Sequence, residues 1–169
     1  MIMLIETKVE AFKIRFAEEK DVSLILTFIK ELAFYENLLD EVVATEEILR
    51  DSLFMRRKAE VIIGEYESKP VGFALFFYNF STFLGKPGIY LEDLYIKPEM
   101  RGKGLGKTML SFLAKLAVER ECGKLEWWCL DWNEPSIKFY KHLGAKSMDD
   151  FTVYRVSDQV LTELAGEFS

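Results

Sequence analysis

A glycine-rich loop at residues 101–106 constrains this chain more than any other feature of its sequence. Its residues are Arg101, Gly102, Lys103, Gly104, Leu105 and Gly106. The loop follows a strand-like run at residues 89–96 and precedes a helix-like run that begins at Lys107. Alternate glycines let backbone N–H groups approach a ligand without obstruction by Cβ atoms, and a helix N-terminus favours an anion. The sequence therefore predicts a strand–loop–helix unit that binds a phosphate or pyrophosphate group.

The spacing of the glycines excludes two common phosphate-binding motifs. A dinucleotide-binding G-x-G-x-x-G motif would need glycine in place of Lys107 or Met109. A Walker A motif that ends at residues 106–108 would need its first glycine in place of Arg101. The remaining R-x-x-G-x-G pattern resembles the pyrophosphate loop of the GCN5-related N-acetyltransferases (GNAT), which bind acetyl-CoA. For the loop taken alone, a plain glycine-rich turn is the alternative.

Three further segments, in the same order along the chain, extend this resemblance. Asn133-Glu134-Pro135-Ser136 starts a predicted helix about thirty residues after the loop. Tyr90-Leu91-Glu92-Asp93 precedes the loop, and residues 29–36 lie near the start of the chain. From about residue 13 to residue 164, the chain resembles the spermidine/spermine (diamine) and thialysine acetyltransferase branch of the family.

Hydrophobic periodicity predicts the elements of one α/β domain, because strand and helix patterns mix without a linker or a repeat. Strands are predicted at residues 13–17, 59–66, 71–80, 89–96, 125–130 and 153–156. Helices are predicted after Asp21, after Thr45, and at residues 105–120, 135–143 and 158–165. The resemblance implies the GNAT fold over residues 1–169, a mixed, mostly antiparallel twisted sheet of six to seven strands with about four helices. It also implies a homodimer.

Composition narrows the class of protein. Half of the 169 residues are hydrophobic, including fourteen Phe, which excludes a disordered chain. No apolar run approaches the roughly 18 residues of a membrane span, and the N-terminus lacks a signal pattern. Cys122 and Cys129 form no C-x-x-C motif and have no second ligand cluster near them. We therefore expect reduced thiols, a cytoplasmic protein and no metal site.

The net charge of −6 is unevenly distributed. Residues 31–49 contain six acidic side chains and no Lys or Arg: Glu31, Glu36, Asp40, Glu41, Glu46 and Glu47. This pattern argues against nucleic acid and anionic membranes as partners, and it favours a cationic ligand. The alternative is that two helices present solvated acidic faces.

The resemblance implies a set of acetyl-CoA contacts. Backbone groups of Leu94, Tyr95 and Ile96 would pair with the pantetheine arm as an added strand does. The loop residues, Lys107, Asn133, Ser136 and Tyr140 complete the set. A backbone N–H of the 94–96 segment would stabilise the thioester oxyanion.

Two side chains are candidates for catalysis. Glu92 lies in a strand with little other charge, where a carboxylate is costly unless it is solvated or paired, and alternation turns Asp93 to the other face. The resemblance implies that Glu92 contacts the substrate or removes a proton from the amine, directly or through water; an edge-of-sheet salt bridge is the alternative.

Tyr140 matches the general acid that protonates the thiolate of CoA, and its phenol is neutral near pH 7. The alternative for Tyr140 is a packed aromatic, and His142 is expected only to favour the helix C-terminus.

The acceptor set implied by the resemblance is Tyr35, Glu36, Glu92, Asp93, Glu126 and Trp128. Two departures from the pattern of the polyamine enzymes leave the identity of the acceptor open. Residues 80–83 offer no acidic side chain where polyamine enzymes carry one, and Phe151 replaces a tryptophan of those enzymes. A polyamine or diamine therefore competes with a thialysine- or lysine-like amine.

The reaction is expected to be direct attack in a ternary complex, because neither cysteine has the partners of an activated nucleophile. Two other functions remain as alternatives from the sequence. One is a protein or peptide N-acetyltransferase, and the other is a non-catalytic acyl-CoA-binding module.

Overall fold

The structure, a computed structural model, describes residues 1–168. Its contacts divide the chain into two compact units, Met1–Trp128 and a unit that begins at Cys129. The first unit contains a six-stranded sheet and three helices, and the second contains two helices within the described residues.

The sheet of the first unit has its strands in chain order. They are Ile5–Glu6 (β1), Phe12–Phe16 (β2), Glu60–Tyr66 (β3), Lys69–Ser81 (β4), Lys86–Ile96 (β5) and Leu125–Trp127 (β6). The pairings from β1 to β5 are antiparallel, and β6 alone runs parallel to its neighbour β5. The predicted mixed, mostly antiparallel sheet is therefore confirmed.

Three helices flank this sheet: Val22–Tyr35 (α1), Glu46–Arg50 (α2), which one π-helical turn at Asp51–Met55 continues, and Leu105–Glu119 (α3). Thr45 starts α2 as expected, because its Oγ1 accepts a hydrogen bond from the Ile48 N–H at 3.2 Å. The α1 side of the core is built on Phe28, whose ring stacks on Phe73 and tilts against Tyr95 at 5.6 and 5.8 Å.

The second unit contains Glu134–His142 (α4) and Asp158–Gly166 (α5). The strand predicted at residues 153–156 is wrong: these residues have no ladder partner among the described residues, and Tyr154 is 92% exposed. Alternating apolar residues do not make a strand unless a neighbouring strand accepts its backbone hydrogen bonds. For the same reason β6 ends at Trp127, where its pairing with β5 stops, instead of at residue 130.

A buried ion network connects β2, β3 and the start of α1. Arg15 donates to both oxygens of Asp21 at 2.7 and 3.0 Å and to Glu65 at 2.6 Å, and Arg15 and Asp21 are both buried. Asp21 also accepts the Glu18 N–H at 2.8 Å. Burial pushes the pKa of Asp21 up, but the hydrogen bonds from Arg15 and Glu18 outweigh it and hold that pKa below its usual value. The network therefore stabilises the fold only while Asp21 is ionised.

We expect Asp21→Asn to lower the free energy of unfolding at pH 7 by about 2–4 kcal/mol, because it leaves Arg15 buried with half of its partners. Lys13→Met, which breaks the exposed Lys13–Glu6 pair, is the control and should cost less than about 1 kcal/mol. Urea denaturation measures both. Since the folded pKa of Asp21 is lowered, the difference between wild type and Asp21→Asn should shrink as pH falls below about 4. Equal losses for the two variants would contradict the role of the network.

Candidate functional site

The glycine loop has the predicted strand–loop–helix form. β5 ends at Ile96, a short 3-10 turn covers Pro98–Met100, and α3 begins at Leu105 with Gly104 as its N-cap. Gly102 and Gly104 both have a φ of +78°, in the left-handed region that side chains rarely adopt. Open space surrounds the position of a Cβ atom at both residues. The backbone conformation itself, not crowding, therefore explains why these two residues are glycine.

The loop offers donors and positive charge to an anion. The first N–H groups of α3 have no intrahelical acceptor, as at any helix start. Arg101, Lys103 and Lys107 are exposed around them, and the Lys103 ammonium lies 5.4 Å from the ring centre of Tyr66. This arrangement can hold a pyrophosphate group.

One edge of β5 is open beside the loop. The β5–β6 pairing includes Ile89, Tyr90 and Leu91 only, so within residues 1–128 no strand pairs with that edge of β5 from Glu92 to Ile96. The segment expected to hold the pantetheine arm, residues 94–96, lies on this edge. An extended ligand can add there as a strand does.

A β-bulge at Glu92 marks the start of the open edge. Leu75 on β4 is opposite Asp93, and the next residue, Phe76, is opposite Leu91. Glu92 is thus the extra residue of β5 and has no cross-strand partner on β4. Such a bulge bends the strand and redirects the side chains around it.

The bulge leaves two adjacent carboxylates in different surroundings. Glu92 is exposed, and Asp93 is half-buried. Burial, together with the negative charges of Glu92 and Glu36, raises the pKa of Asp93 to about 6. Burial also raises the pKa of Glu36, the residue that ends α1. The charges of Glu36 and Glu92 thus both act on Asp93, and we call these three residues the carboxylate cluster.

The Arg101 side chain turns toward α1. Its Nε donates to the Ile96 carbonyl at 3.1 Å, and its guanidinium carbon lies 4.8 Å from the ring centre of Tyr35 and 5.9 Å from that of Tyr95. Tyr95 is buried, and burial together with a hydrogen bond to Glu31 raises the pKa of its phenol. The sequence pattern did not indicate the contacts of Arg101 with Tyr35 and of Tyr95 with Glu31, which join β5 and the loop to a helix near the start of the chain.

A second group of aromatic and acidic residues crosses β4, β5 and the end of β6. The Tyr90 ring lies between Phe77 and Trp128, with ring centres 5.2 and 5.8 Å away. Tyr90 was not predicted as a site residue, although it lies two positions before Glu92 in the same strand. Glu126 contacts Lys124 Nζ at 2.5 Å and accepts a hydrogen bond from Asn79 Nδ2 at 3.0 Å. The hydrogen bond with Lys124 lowers the pKa of Glu126, so this carboxylate is stabilised as an anion by its neighbours.

The remaining predicted site residues lie in the second unit. Asn133 is buried and caps α4, because its Oδ1 accepts a hydrogen bond from the Ser136 N–H at 3.4 Å. Tyr140 is half-buried in α4, with its ring 5.5 Å from that of Phe139. His142 is exposed at the last position of this helix. The roles of Asn133, Ser136 and Tyr140 toward a ligand stay predictions.

Two negative findings apply to the described residues. In residues 1–168, no group of three His, Cys, Asp or Glu side chains could hold a metal ion. In that same part of the chain, no helix combines the length and the apolarity that crossing a membrane requires.

The family model and the curated relatives that match this chain agree on one family. The model of the acetyltransferase (GNAT) family matches residues 26–145. Thialysine N-epsilon-acetyltransferase of Bos taurus is 37% identical over 166 residues, which cover 91% of this chain and 97% of the relative. An L-ornithine N5-acetyltransferase of Arabidopsis thaliana is 29% identical, covering 88% and 86%.

The fold also matches solved structures. An integron cassette protein from the mobile metagenome of V. cholerae superposes with a TM-score of 0.77 and 27% sequence identity. The match covers 92% of this chain and 98% of that protein.

We expect Gly104→Ala to weaken the binding of CoA at least tenfold, because the side chain forces the N-cap of α3 out of its left-handed conformation. Gly85→Ala is the matched control, since Gly85 has a φ of +64° and equally open surroundings at a turn far along the sequence from the loop. Both variants should lose about 1–2 kcal/mol of stability. Only Gly104→Ala should lose CoA affinity by calorimetric titration. Unchanged CoA affinity in the folded Gly104→Ala variant would show that the loop is not part of the CoA-binding site.

We expect Asp93→Asn to stabilise the protein at pH 7.5 by about 1–3 kcal/mol, because the wild-type carboxyl must ionise against burial and two neighbouring charges. A raised folded pKa favours the protonated form, so wild-type stability falls as pH rises from about 4 to about 6. The gain from Asp93→Asn should therefore disappear over the same range as pH is lowered. Urea denaturation at several pH values measures it.

Glu126→Gln is the control of opposite sign. The folded pKa of Glu126 is lowered, so this variant should destabilise the protein at pH 7.5 and lose its effect at low pH. A destabilising effect of Asp93→Asn at pH 7.5 would contradict the strained carboxylate cluster.

Proposed function

The chain belongs to the acetyltransferase (GNAT) family, and on this premise we propose that it is an N-acetyltransferase acting on a primary amine of a small cationic acceptor. The observation that carries the proposal is the carboxylate cluster, which collects negative charge where the open edge of β5 begins. A protonated amine is the ligand that such a cluster attracts. We further propose that residues 1–169 act as one domain, because the family match spans both compact units.

We propose acetyl-CoA as the acetyl donor. The loop N–H groups with Arg101, Lys103 and Lys107 would hold its pyrophosphate, and residues 94–96 would pair with its pantetheine arm. Asn133 and Ser136 would add contacts from the start of α4. This placement supports the carboxylate cluster as the acceptor side, because the thioester would then lie near Glu92 at the bulge.

The chemistry needs proton transfers at the amine nitrogen and at the thiolate sulfur. An alkylammonium group is protonated at neutral pH, so Glu92 would accept its proton directly or through water before the nitrogen attacks. The N–C bond then forms at the thioester carbonyl, and a backbone N–H of β5 would stabilise the oxyanion. The C–S bond breaks as the nitrogen loses its second proton to solvent, and the Tyr140 hydroxyl would protonate the departing thiolate and recover its own proton from solvent.

We propose a thialysine-, lysine- or ornithine-like amine as the preferred acceptor, with a polyamine as the alternative. Two relatives carry names for amino-acid side-chain amines, and the hairpin tip at residues 80–83 contains no carboxylate for a second ammonium group. Asp93 and Glu36 would bind the ammonium, and the rings of Tyr35 and Trp128 would support it through cation–π contact. Because Glu126 already has two partners, we assign it only a long-range electrostatic contribution.

We also propose that the protein is a cytoplasmic homodimer. Both cysteines carry thiols, which suits a reducing compartment. Val153, Tyr154, Val160, Leu161 and Leu164 are all exposed, and a second copy of the chain would cover apolar surface of this kind.

Turnover of acetyl-CoA with a panel of amines tests the proposed function. Thialysine, lysine, ornithine, putrescine, spermidine and a lysine-containing peptide are compared by release of the CoA thiol. We expect the highest kcat/KM for one of the three amino acids. Preference for the peptide would indicate a protein acetyltransferase. Binding of acetyl-CoA without turnover of any amine would indicate a non-catalytic acyl-CoA-binding module.

We expect Tyr140→Phe to lower kcat by roughly 10²–10⁴ while the fold and the affinity for acetyl-CoA change little. The substitution deletes one hydroxyl and keeps the ring beside Phe139. Tyr154→Phe, at an exposed tyrosine of the same unit, is the matched control and should leave kcat unchanged. The high-pH limb of the kcat profile should flatten only in Tyr140→Phe. Near-normal kcat in Tyr140→Phe would indicate that Tyr140 is a packing residue and not the general acid.

A further inference from the structure

The Arg101 guanidinium contacts both the cofactor side and the amine side of the proposed site. Arg101 belongs to the loop that would hold the pyrophosphate, yet its planar group lies 4.8 Å from the ring centre of Tyr35 on α1. Glu36 of the carboxylate cluster follows Tyr35 directly. The same guanidinium donates to the Ile96 carbonyl at 3.1 Å, at the end of the open edge of β5.

We propose that Arg101 is a positioning residue that couples acetyl-CoA binding to amine binding, because it holds the end of α1 against the cofactor loop. This inference rests on the proposed function. An anion in the loop would fix the position of the guanidinium, and the guanidinium in turn fixes the Tyr35 ring and the adjoining Glu36. The amine site therefore reaches its binding geometry only when the loop is ordered.

The buried side of the contact supports a mechanical link. The guanidinium also lies 5.9 Å from the ring centre of Tyr95, which is buried against Phe28 of α1 and hydrogen-bonded to Glu31. The loop, β5 and the second half of α1 thus meet at one cation and two rings. Such a junction passes a shift of the loop to Glu36 without any contact between the amine and the loop.

One substitution at position 101 separates the effect of the positive charge from the effect of the planar group. Arg101→Lys keeps the positive charge for the pyrophosphate but loses the planar group that stacks on Tyr35. At saturating acetyl-CoA we expect it to raise the KM for thialysine about two- to fivefold, the effect of one lost cation–π contact, with kcat nearly unchanged. Lys103→Met is the loop control, and it should raise the KM for acetyl-CoA without altering the KM for thialysine at saturating acetyl-CoA.

A double-mutant cycle tests the route through Tyr35. Tyr35→Leu should raise the thialysine KM at least as much as Arg101→Lys, because it also removes the contact of the ring with the ammonium, and adding Arg101→Lys to Tyr35→Leu should have no further effect. Tyr35→Phe keeps the ring and should restore the wild-type KM. Independent, multiplying effects of the two substitutions would overturn the inference.

A readout that needs no turnover separates this inference from the proposed function. We expect titration of the full-length protein with CoA to shift the backbone amide resonances of Tyr35 and Glu36. In Arg101→Lys saturated with CoA, these shifts should be lost while that of Gly104 remains. If no amine is acetylated but the shifts follow this pattern, the proposed function fails and the link between the loop and α1 stands. If CoA shifts neither Tyr35 nor Glu36 in the wild type, or does not bind at all, the inference is overturned.

Discussion

The ladder between β4 and β5 is the constraint on which the candidate site depends. Ten pairs of residues fix β5 in register against β4, and the single extra residue, Glu92, is therefore forced out of the pattern. The pairing of β5 with β6 ends one residue before this bulge. The β5–β6 ladder therefore ends where the β4–β5 ladder is interrupted, and the side chains of Glu92 and Asp93 lie in different surroundings. The open edge and the carboxylate cluster follow from this one irregularity.

The cluster has an energetic cost that the rest of the fold offsets. Burial disfavours the ionised forms of Asp93 and Glu36, and the charges of Glu92 and Glu36 add to this effect at Asp93. The Arg15 network on the same sheet has the reverse arrangement, with each carboxylate bonded to the cation. A cationic ligand would relieve the repulsion on Asp93, so the cluster favours a ligand of opposite charge.

The sequence predicted the parts of this protein that depend on local chemistry. The loop was predicted from its glycines, α2 from Thr45, and the sheet strands from alternation, because these signals lie within a few residues of one another. β1 was missed because two residues are too few for a period. The strand predicted at residues 153–156 was wrong because these residues have no partner strand among residues 1–168. The bulge at Glu92 and the stacking of Arg101 on Tyr35 depend on register and on contacts between distant residues, which no local pattern contains.

The two ends of α1 are held by different kinds of interaction. At its start, Asp21 is anchored to Arg15 inside the protein, with hydrogen bonds that solvent does not reach. At its other end, Tyr35 meets an exposed guanidinium from a loop. The helix is thus held by buried ion pairs at its start and by a more exposed cation–π contact at its end. Amide hydrogen exchange should accordingly be faster in the last turn of α1 than in its middle, and a small rotation about the buried end would displace Glu36 more than the residues nearer to Asp21.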